Sequence, residues 1–188
     1  MTELPERAYP GMPGHSTMSE HAMRYAWACG IVGGLDVLDL GCGTGYGSEM
    51  LSWTARRVRG FDLWEPDQDA VPNWPSGPEL HFSHDLCRDP LPDADAGVMF
   101  EVLEHLPDPL AALERIWSAV SLLVLSFPNP TYHGSHLNPW HVNDWPLGRV
   151  ETHLEATSIE HFHQPHGSPS LSWGRDPEAP FWVMIARR

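Results

Sequence analysis

Three glycines at alternate positions, Gly41, Gly43 and Gly45, directly follow a short apolar run at residues 37–40. An apolar run that ends abruptly in glycines predicts a buried strand and a tight turn into a helix. Glycine lets the backbone turn sharply there and approach a ligand closely, although such turns also use glycine for structural reasons alone. A dinucleotide-binding loop would have its third glycine at position 46, which is Tyr46. The spacing therefore favours a loop that packs against a nucleoside and an amino-acid tail.

Two acidic residues follow the next two predicted strands. Asp62 comes 21 residues after Gly41 and ends the second strand, where a carboxylate can accept both hydroxyls of a ribose. Asp85 follows the third strand and could accept a hydrogen bond from an adenine amino group. Either acid alone could be a solvated strand end. Together with the glycine loop, they predict a nucleoside site.

A second group of residues could do acid–base chemistry. Glu101, Glu104 and His105 have i, i+3, i+4 spacing, so a helical turn after the fourth strand would place them on one face. His141 follows the fifth strand. Because the carboxyl ends of neighbouring parallel strands line one crevice, we expect His141 to lie near this group.

This Glu/His group has three interpretations. His105 or His141, with Glu104, could act as a general base for a hydroxyl or an amine, since imidazole titrates near neutral pH. Alternatively, Glu101, Glu104, His105 and His141 could bind a divalent metal that holds and activates a hydroxyl. In the third interpretation, Glu104 and His105 only stabilise the turn. We favour the base without a metal and keep the other two interpretations open.

Strands and helices alternate along the chain, which predicts an α/β fold with a doubly wound parallel sheet and helices on both faces. The predicted strands lie at residues 37–40, 58–63, 80–83, 96–100, 121–127, 158–163 and 181–186. The predicted helices begin with a capping box at 17–20 and continue at 48–54 and 109–119, with a short helix or turn at 67–74.

Length and composition predict one domain that is not embedded in a membrane. Of the 188 residues, 41% are hydrophobic, which is enough for a core, but no run approaches the ~20 apolar residues of a membrane span. Residues 1–15 are rich in Pro and Gly and are expected to form an extended arm before a single domain at 16–188. The N-terminus does not resemble a signal peptide, and the three cysteines lack metal or disulfide spacing, so we expect a cytoplasmic protein.

The net charge of −14 bears on the partners. The chain contains no lysine and its arginines are scattered, whereas binding a nucleic acid normally needs a basic face. A small-molecule partner is therefore favoured over a nucleic acid, and the oligomeric state stays open. His161, His163 and His166 are expected on the solvated surface, without a zinc ion.

The chain resembles the class I S-adenosylmethionine-dependent methyltransferases over nearly its whole length, and is most similar to the type 11 and type 23 methyltransferase domains. The residues that carry the resemblance are VLDLGCGTGYGS at 37–48, GFD at 60–62, HDLCRDPLP at 84–92, FEVLEHLPDP at 100–109, SFPN at 126–129 and NPWHVNDW at 138–145. The resemblance implies a mostly parallel, seven-stranded Rossmann-like sheet with an antiparallel last strand. The chain departs from the family because it lacks an L-x-P-G-G turn before the fifth strand.

The resemblance also implies that S-adenosyl-L-methionine is the cofactor. For the methionine end of the cofactor, it implies Asp39, Gly41, Gly43 and Gly45. For the ribose it implies Asp62 with Leu63, and for the adenine Asp85 and Leu86. It also implies that Glu101 lies near the sulfonium. Because the chain is short for the family, acceptor recognition is expected from the N-terminal arm and from the histidine-rich segment after the fifth strand.

The implied function is methyl transfer to a small-molecule acceptor, for which we favour a hydroxyl of a sugar, a glycan precursor or a secondary metabolite. One alternative is metal-dependent 2′-O-methylation of the 3′-terminal ribose of RNA, because the Glu/His spacing is similar to the metal site of such enzymes. The net charge and the absence of lysine count against it. The other alternative is a catalytically silent subunit with this fold, against which stands the intact nucleoside site.

Overall fold

The computed structural model of the protein describes residues 16–66 and 72–188. The expected arm at 1–15 and residues 67–71 of the expected helix or turn lie outside the described residues. The helices are α1 (Ser16–Cys29), α2 (Tyr46–Leu51), α3 (Pro109–Ala119), α4 (Pro130–His133) and α5 (Leu147–Leu154), with a 3-10 helix at Leu103–His105. The strands are β1 (Asp36–Leu40), β2 (Arg57–Phe61), β3 (Glu79–His81), β4 (Ala96–Phe100), β5 (Leu122–Pro128), β6 (Ser158–Gln164), β7 (Ser172–Trp173) and β8 (Phe181–Arg187).

The strands form one sheet in the order β3-β2-β1-β4-β5-β8-β6-β7. β1 to β5 pair in parallel, and β8 is antiparallel to both neighbours, β5 and β6. The expected Rossmann-like fold with an antiparallel last strand is confirmed. The strand count is eight rather than seven, because Ser172–Trp173 pairs with β6 at the sheet edge. Two residues are too few to show the alternation that predicts a strand.

Both faces of the sheet are covered, so the central strands β4 and β5 consist almost entirely of buried residues. On one face, Leu113 and Ile116 of α3 pack with Val150 of α5. On the other face, Tyr25 and Ala28 of α1 pack against β1 and β4. This covering from both sides explains why the central strands are continuous apolar runs.

The order reverses at β1, with β2 on one side and β4 on the other, which creates a crevice at the carboxyl ends of these strands. The glycine loop follows β1, and the 3-10 helix follows β4 in place of the expected helical turn. Helices α4 and α5 follow β5 and were not predicted from the sequence. Within residues 16–66 and 72–188, no helix combines the length and the apolar character that crossing a bilayer requires.

Candidate functional site

The loop after β1 adopts backbone conformations that favour glycine. Gly41, Gly43 and Gly45 have φ angles of 80°, 57° and 86°. A Cβ atom at Gly41 would lie only 2.4 Å from a methyl carbon of Val102. A side chain at position 41 is therefore excluded both by conformation and by space, and the chain after β4 can approach the loop closely.

Asp62, at the end of β2, holds the glycine loop in place. One carboxylate oxygen accepts a hydrogen bond from the backbone N–H of Gly43 at 2.8 Å, and the other accepts one from Trp64 at 2.8 Å. Asp62 also lines the main cavity of the site, a space of about 470 Å³. The two hydrogen bonds thus fix the carboxylate at the cavity.

Asp39 lies beneath the loop rather than in the cavity wall. Its carboxylate is fully buried and accepts hydrogen bonds from the hydroxyls of Tyr25 (2.9 Å) and Ser48 (2.6 Å). Burial raises the pKa of Asp39 to about 6. Neither Asp39 nor Gly45 is among the described lining residues, whereas Tyr25 is. Asp39 therefore positions the tyrosine that faces the cavity.

Beside Tyr25, two residues that sequence analysis did not assign complete this wall. His21 of α1 forms a hydrogen bond through Nδ1 to the hydroxyl of Tyr46, and both residues line the cavity. Burial lowers the pKa of His21 to about 3, so its ring is neutral at physiological pH. Tyr25 packs edge-on against Tyr46 and Phe100. The capping box predicted α1, but no local pattern showed which face of it meets the loop.

The other residues expected at the adenosine end also reach the cavity. Leu63, Asp85 and Leu86 all line it. The backbone N–H of Cys87 donates to an oxygen of Asp85 at 2.9 Å, which orients that carboxylate. Leu63 is 65% exposed, an unusual state for leucine that leaves an apolar side chain at the cavity edge.

Glu104, His105 and His141 meet at the same cavity, whereas Glu101, which the i, i+3, i+4 spacing placed on one face with Glu104 and His105, is not part of this group. One potential ligand atom from each lies within 4.8 Å of the other two. Nδ1 of His105 lies 2.9 Å from the carbonyl oxygen of Trp140, and Nδ1 of His141 lies 2.5 Å from that of His133. A carbonyl only accepts, so both Nδ1 atoms carry the proton and Nε2 has the lone pair in the neutral rings.

Each Nε2 atom has a polar neighbour. Nε2 of His105 is 3.8 Å from a carboxylate oxygen of Glu104. Nε2 of His141 accepts from the side-chain amide of Asn138 at 3.0 Å. Both imidazoles thus have Nε2 near a polar group of the site.

Glu101 lies apart from this trio. Its φ angle is 55°, a strained value for a residue other than glycine. Its carboxylate accepts a hydrogen bond from Ser126 Oγ at 2.6 Å and lies 3.7 Å from the guanidinium of Arg24. Glu101 lines the cavity, as a residue near the sulfonium would, but it is not in the described group of potential metal ligands.

His161, His163 and His166 were expected on the solvated surface, and this expectation needs correction. His161 and His163 are only partly exposed, and a ring nitrogen of His161 lies 3.1 Å from a carboxylate oxygen of Glu151. His166 is exposed but also lines the cavity. Pairing of β6 with β8 brings this segment to the site, a contact that no local pattern predicts.

Comparison with known proteins identifies this arrangement. The family model described as "Methyltransferase domain" matches residues 16–165. A probable S-adenosylmethionine-dependent methyltransferase of Mycolicibacterium smegmatis is 30% identical over 167 residues, which are 82% of this chain and 64% of that protein. The chain thus spans less than two thirds of this relative.

Solved structures share the fold. A SAM-dependent methyltransferase from Thermotoga maritima superposes with a TM-score of 0.70 at 13% identity, covering 89% of each chain. The N-methyltransferase NodS from Bradyrhizobium japonicum, in complex with S-adenosyl-L-homocysteine, gives 0.65 at 17% identity, covering 95% of this chain and 89% of its own.

The chain belongs to the methyltransferase domain family. Its domain is an S-adenosylmethionine-dependent methyltransferase domain, and S-adenosyl-L-methionine is the cofactor.

Proposed function

We propose that the protein methylates a hydroxyl group of a small molecule, namely a sugar, a glycan precursor or a secondary metabolite, with His105 and His141 as acid–base groups. The observation that carries this proposal is the pair of imidazoles at the cofactor cavity, each with Nδ1 directed at a backbone carbonyl. Such contacts fix the orientation of each ring and keep its proton on Nδ1, with the Nε2 atom of His141 beside the amide of Asn138. The acceptor itself is inferred from the family resemblance and from the net charge of −14.

In the proposed reaction, the acceptor oxygen attacks the methyl carbon in line with the sulfur. The new C–O bond forms as the C–S bond breaks, and the products are a methyl ether and S-adenosyl-L-homocysteine. The hydroxyl proton moves to Nε2 of His105, and the carboxylate of Glu104, 3.8 Å away, stabilises the imidazolium.

The test uses methyl-labelled S-adenosylmethionine and a cell extract separated into small-molecule, glycan, RNA and protein fractions, each assayed with and without a chelator. We expect label in the small-molecule or glycan fraction, unchanged by the chelator. Label confined to RNA or protein would contradict the proposal.

A second candidate is metal-dependent methylation of the 3′-terminal ribose of RNA. The observation that favours it is the convergence of Glu104, His105 and His141 within 4.8 Å. Two imidazole nitrogens and one carboxylate oxygen suit a divalent transition metal, which would hold the ribose hydroxyls. The acidic, lysine-free chain disfavours a polyanion. Chelator-sensitive label in RNA would place this candidate first.

A third possibility, a catalytically silent subunit, predicts that the cofactor pocket does not bind. Calorimetry with S-adenosyl-L-homocysteine tests it directly. We expect binding, because Asp62 and the glycine loop are held in an ordered geometry by the hydrogen bond between Gly43 and Asp62.

A further inference from the structure

A second set of ionisable side chains lines the cavity in addition to the proposed acid–base residues Glu104, His105 and His141. Glu20, Glu101, His133 and His166 line it together with the aromatic ring of Phe181. Glu20 belongs to α1, Glu101 follows β4, and His133 is the last residue of α4. His166 follows β6, and Phe181 is the first residue of β8. Their chemistry bears on which acceptor the cavity can hold.

Glu20 is the most informative member of this set. Its side chain is only 1% exposed. One carboxylate oxygen accepts a hydrogen bond from the backbone N–H of Gly167 and lies 3.6 Å from Nδ1 of His166. The other oxygen, Oε2, is buried and has no hydrogen-bond partner among the described residues. Since burying a polar oxygen without a donor is unfavourable, a ligand that supplies a donor would be bound there.

The charge near Glu20 indicates what kind of donor fits. Arg24 is also buried, donates a hydrogen bond to Gln164 at 2.7 Å, and lies 3.7 Å from Glu101. Its guanidinium is stacked 5.1 Å over the ring of Phe181. Arg24 has a carboxylate partner in Glu101, whereas Glu20 has no guanidinium within ion-pair distance among the described residues and has only His166 beside it. A cationic donor suits the carboxylate of Glu20, whereas a phosphate or carboxylate would be repelled by it.

The position of the group relates it to the proposed base. The ring of His133 stacks on Phe181 with centroids 4.8 Å apart, and it lies 5.8 Å from the ring of His166. The backbone carbonyl of the same His133 holds Nδ1 of His141. His133 thus contacts both the ring of His166, which lies beside Glu20, and the proposed acid–base residue His141. Glu20 and both proposed acid–base histidines line the same cavity.

We infer that the acceptor is an amino alcohol, for example an amino sugar, whose ammonium group donates to Glu20 Oε2 while a neighbouring hydroxyl receives the methyl group. This inference rests on the proposed function.

Chemical blocking of amines tests the inference without knowledge of the acceptor. The small-molecule fraction is treated with acetic anhydride in aqueous bicarbonate, then with hydroxylamine to remove O-acetyl groups, and is compared with a mock-treated portion. We expect N-acetylation to abolish labelling and the labelled product of the mock portion to be retained on a cation exchanger. Labelling that survives acetylation would overturn the inference, as would a methyl group located on nitrogen by mass spectrometry.

A charge-removing variant tests Glu20 itself. Glu20→Gln keeps an oxygen for the N–H of Gly167 but removes the charge, so the apparent KM for the fraction should rise about tenfold with kcat changed little. The matched control is Glu160→Gln, which removes the same charge from β6 at an ion pair with Arg187, outside the cavity lining. Thermal unfolding and S-adenosyl-L-homocysteine affinity establish that both variants are folded. An unchanged KM in folded Glu20→Gln would overturn the inference.

The outcomes separate the two proposals. Absence of label from both the small-molecule and the glycan fraction defeats the proposed function. Label on an oxygen of an acceptor that needs no amine leaves the proposed function intact and defeats only the amino-alcohol inference.

Discussion

The cofactor side and the acceptor side of the cavity are built in different ways. The cofactor side depends on contacts close in sequence, such as Gly43 with Asp62, 19 residues apart. The acceptor side depends on distant contacts, such as Glu20 with Gly167, 147 residues apart. A ligand shared by a whole family can be bound by a local motif, whereas the acceptor site is assembled from segments that only the complete sheet brings together.

The largest expected effect is on the acceptor side. His105→Ala should reduce turnover about 10²- to 10⁴-fold, because the proposed proton acceptor is lost, while affinity for S-adenosyl-L-homocysteine stays nearly unchanged. His141→Ala should show the same pattern with a smaller loss. Steady-state rates and calorimetry measure the two quantities, and His153→Ala on α5 is the control. If both site variants turned over at the rate of the parent protein, neither histidine would take part in the reaction.

The next effect concerns the cofactor side. Gly41→Ala should lower the free energy of unfolding by about 2–3 kcal/mol and weaken cofactor binding, because its Cβ would meet Val102 at 2.4 Å. Gly43→Ala is a matched comparison, since φ is also positive but no atom lies within 4 Å of the added Cβ. It should cost only about 1 kcal/mol, for the left-handed conformation. Denaturant unfolding distinguishes them, and equal losses would show that space at Gly41 does not matter.

A smaller change is expected at Asp62. Asp62→Ala should weaken cofactor binding by about 1–3 kcal/mol, because a charged hydrogen-bond acceptor for the ribose and for the loop is lost. Turnover at saturating cofactor should change much less, since the acceptor side is intact. Calorimetric affinity identical to that of the parent protein would remove Asp62 from the site.

The smallest effect is the dependence of stability on pH. His21 has its pKa lowered from 6.5 to about 3, so only the unfolded chain binds its proton between these values, and stability falls on acidification. Asp39 has its pKa raised from 3.8 to about 6, so its contribution is largest at low pH and is lost as the pH rises through that range. The two slopes oppose each other, each at most about 1.4 kcal/mol per pH unit.

Variants separate these opposing slopes. Between pH 4 and 6, His21→Gln should make stability fall more steeply as the pH rises, because only the Asp39 contribution remains. Asp39→Asn should instead make stability rise more steeply with pH. Urea unfolding at several pH values measures both slopes, and a slope that stays unchanged in one variant would show that the pKa shift of the replaced residue is absent.

The cofactor side could largely be predicted from the sequence, because glycines and acids after apolar runs define it locally. Asp62 and Asp85, which the sequence places after β2 and β3, both line the cavity. The sequence grouped Glu101, Glu104, His105 and His141, since neighbouring parallel strands bring their ends together, and the structure brings together the last three.

The contributions of α1 and of the segment after β6 could not be predicted. Glu20 and Arg24 have ordinary helical spacing, and nothing near them shows that Gln164 and Gly167 are their partners. These contacts arise because β8 inserts between β5 and β6, a pairing that follows from the whole sheet. The two-residue β7 and the short α4 are too small to leave a periodic pattern.

The separation of Glu20 from Gly167 also sets an order of events during synthesis. Ribosomes add about 5–20 residues per second, so about 7–30 seconds pass between the emergence of the two residues. Until residue 167 has been made, Glu20 lacks the backbone N–H that donates to it in the folded chain, whereas the glycine loop and Asp62 have already been made. The acceptor end is therefore the last part of the cavity to form, and a nascent chain could bind its cofactor before it can bind its acceptor.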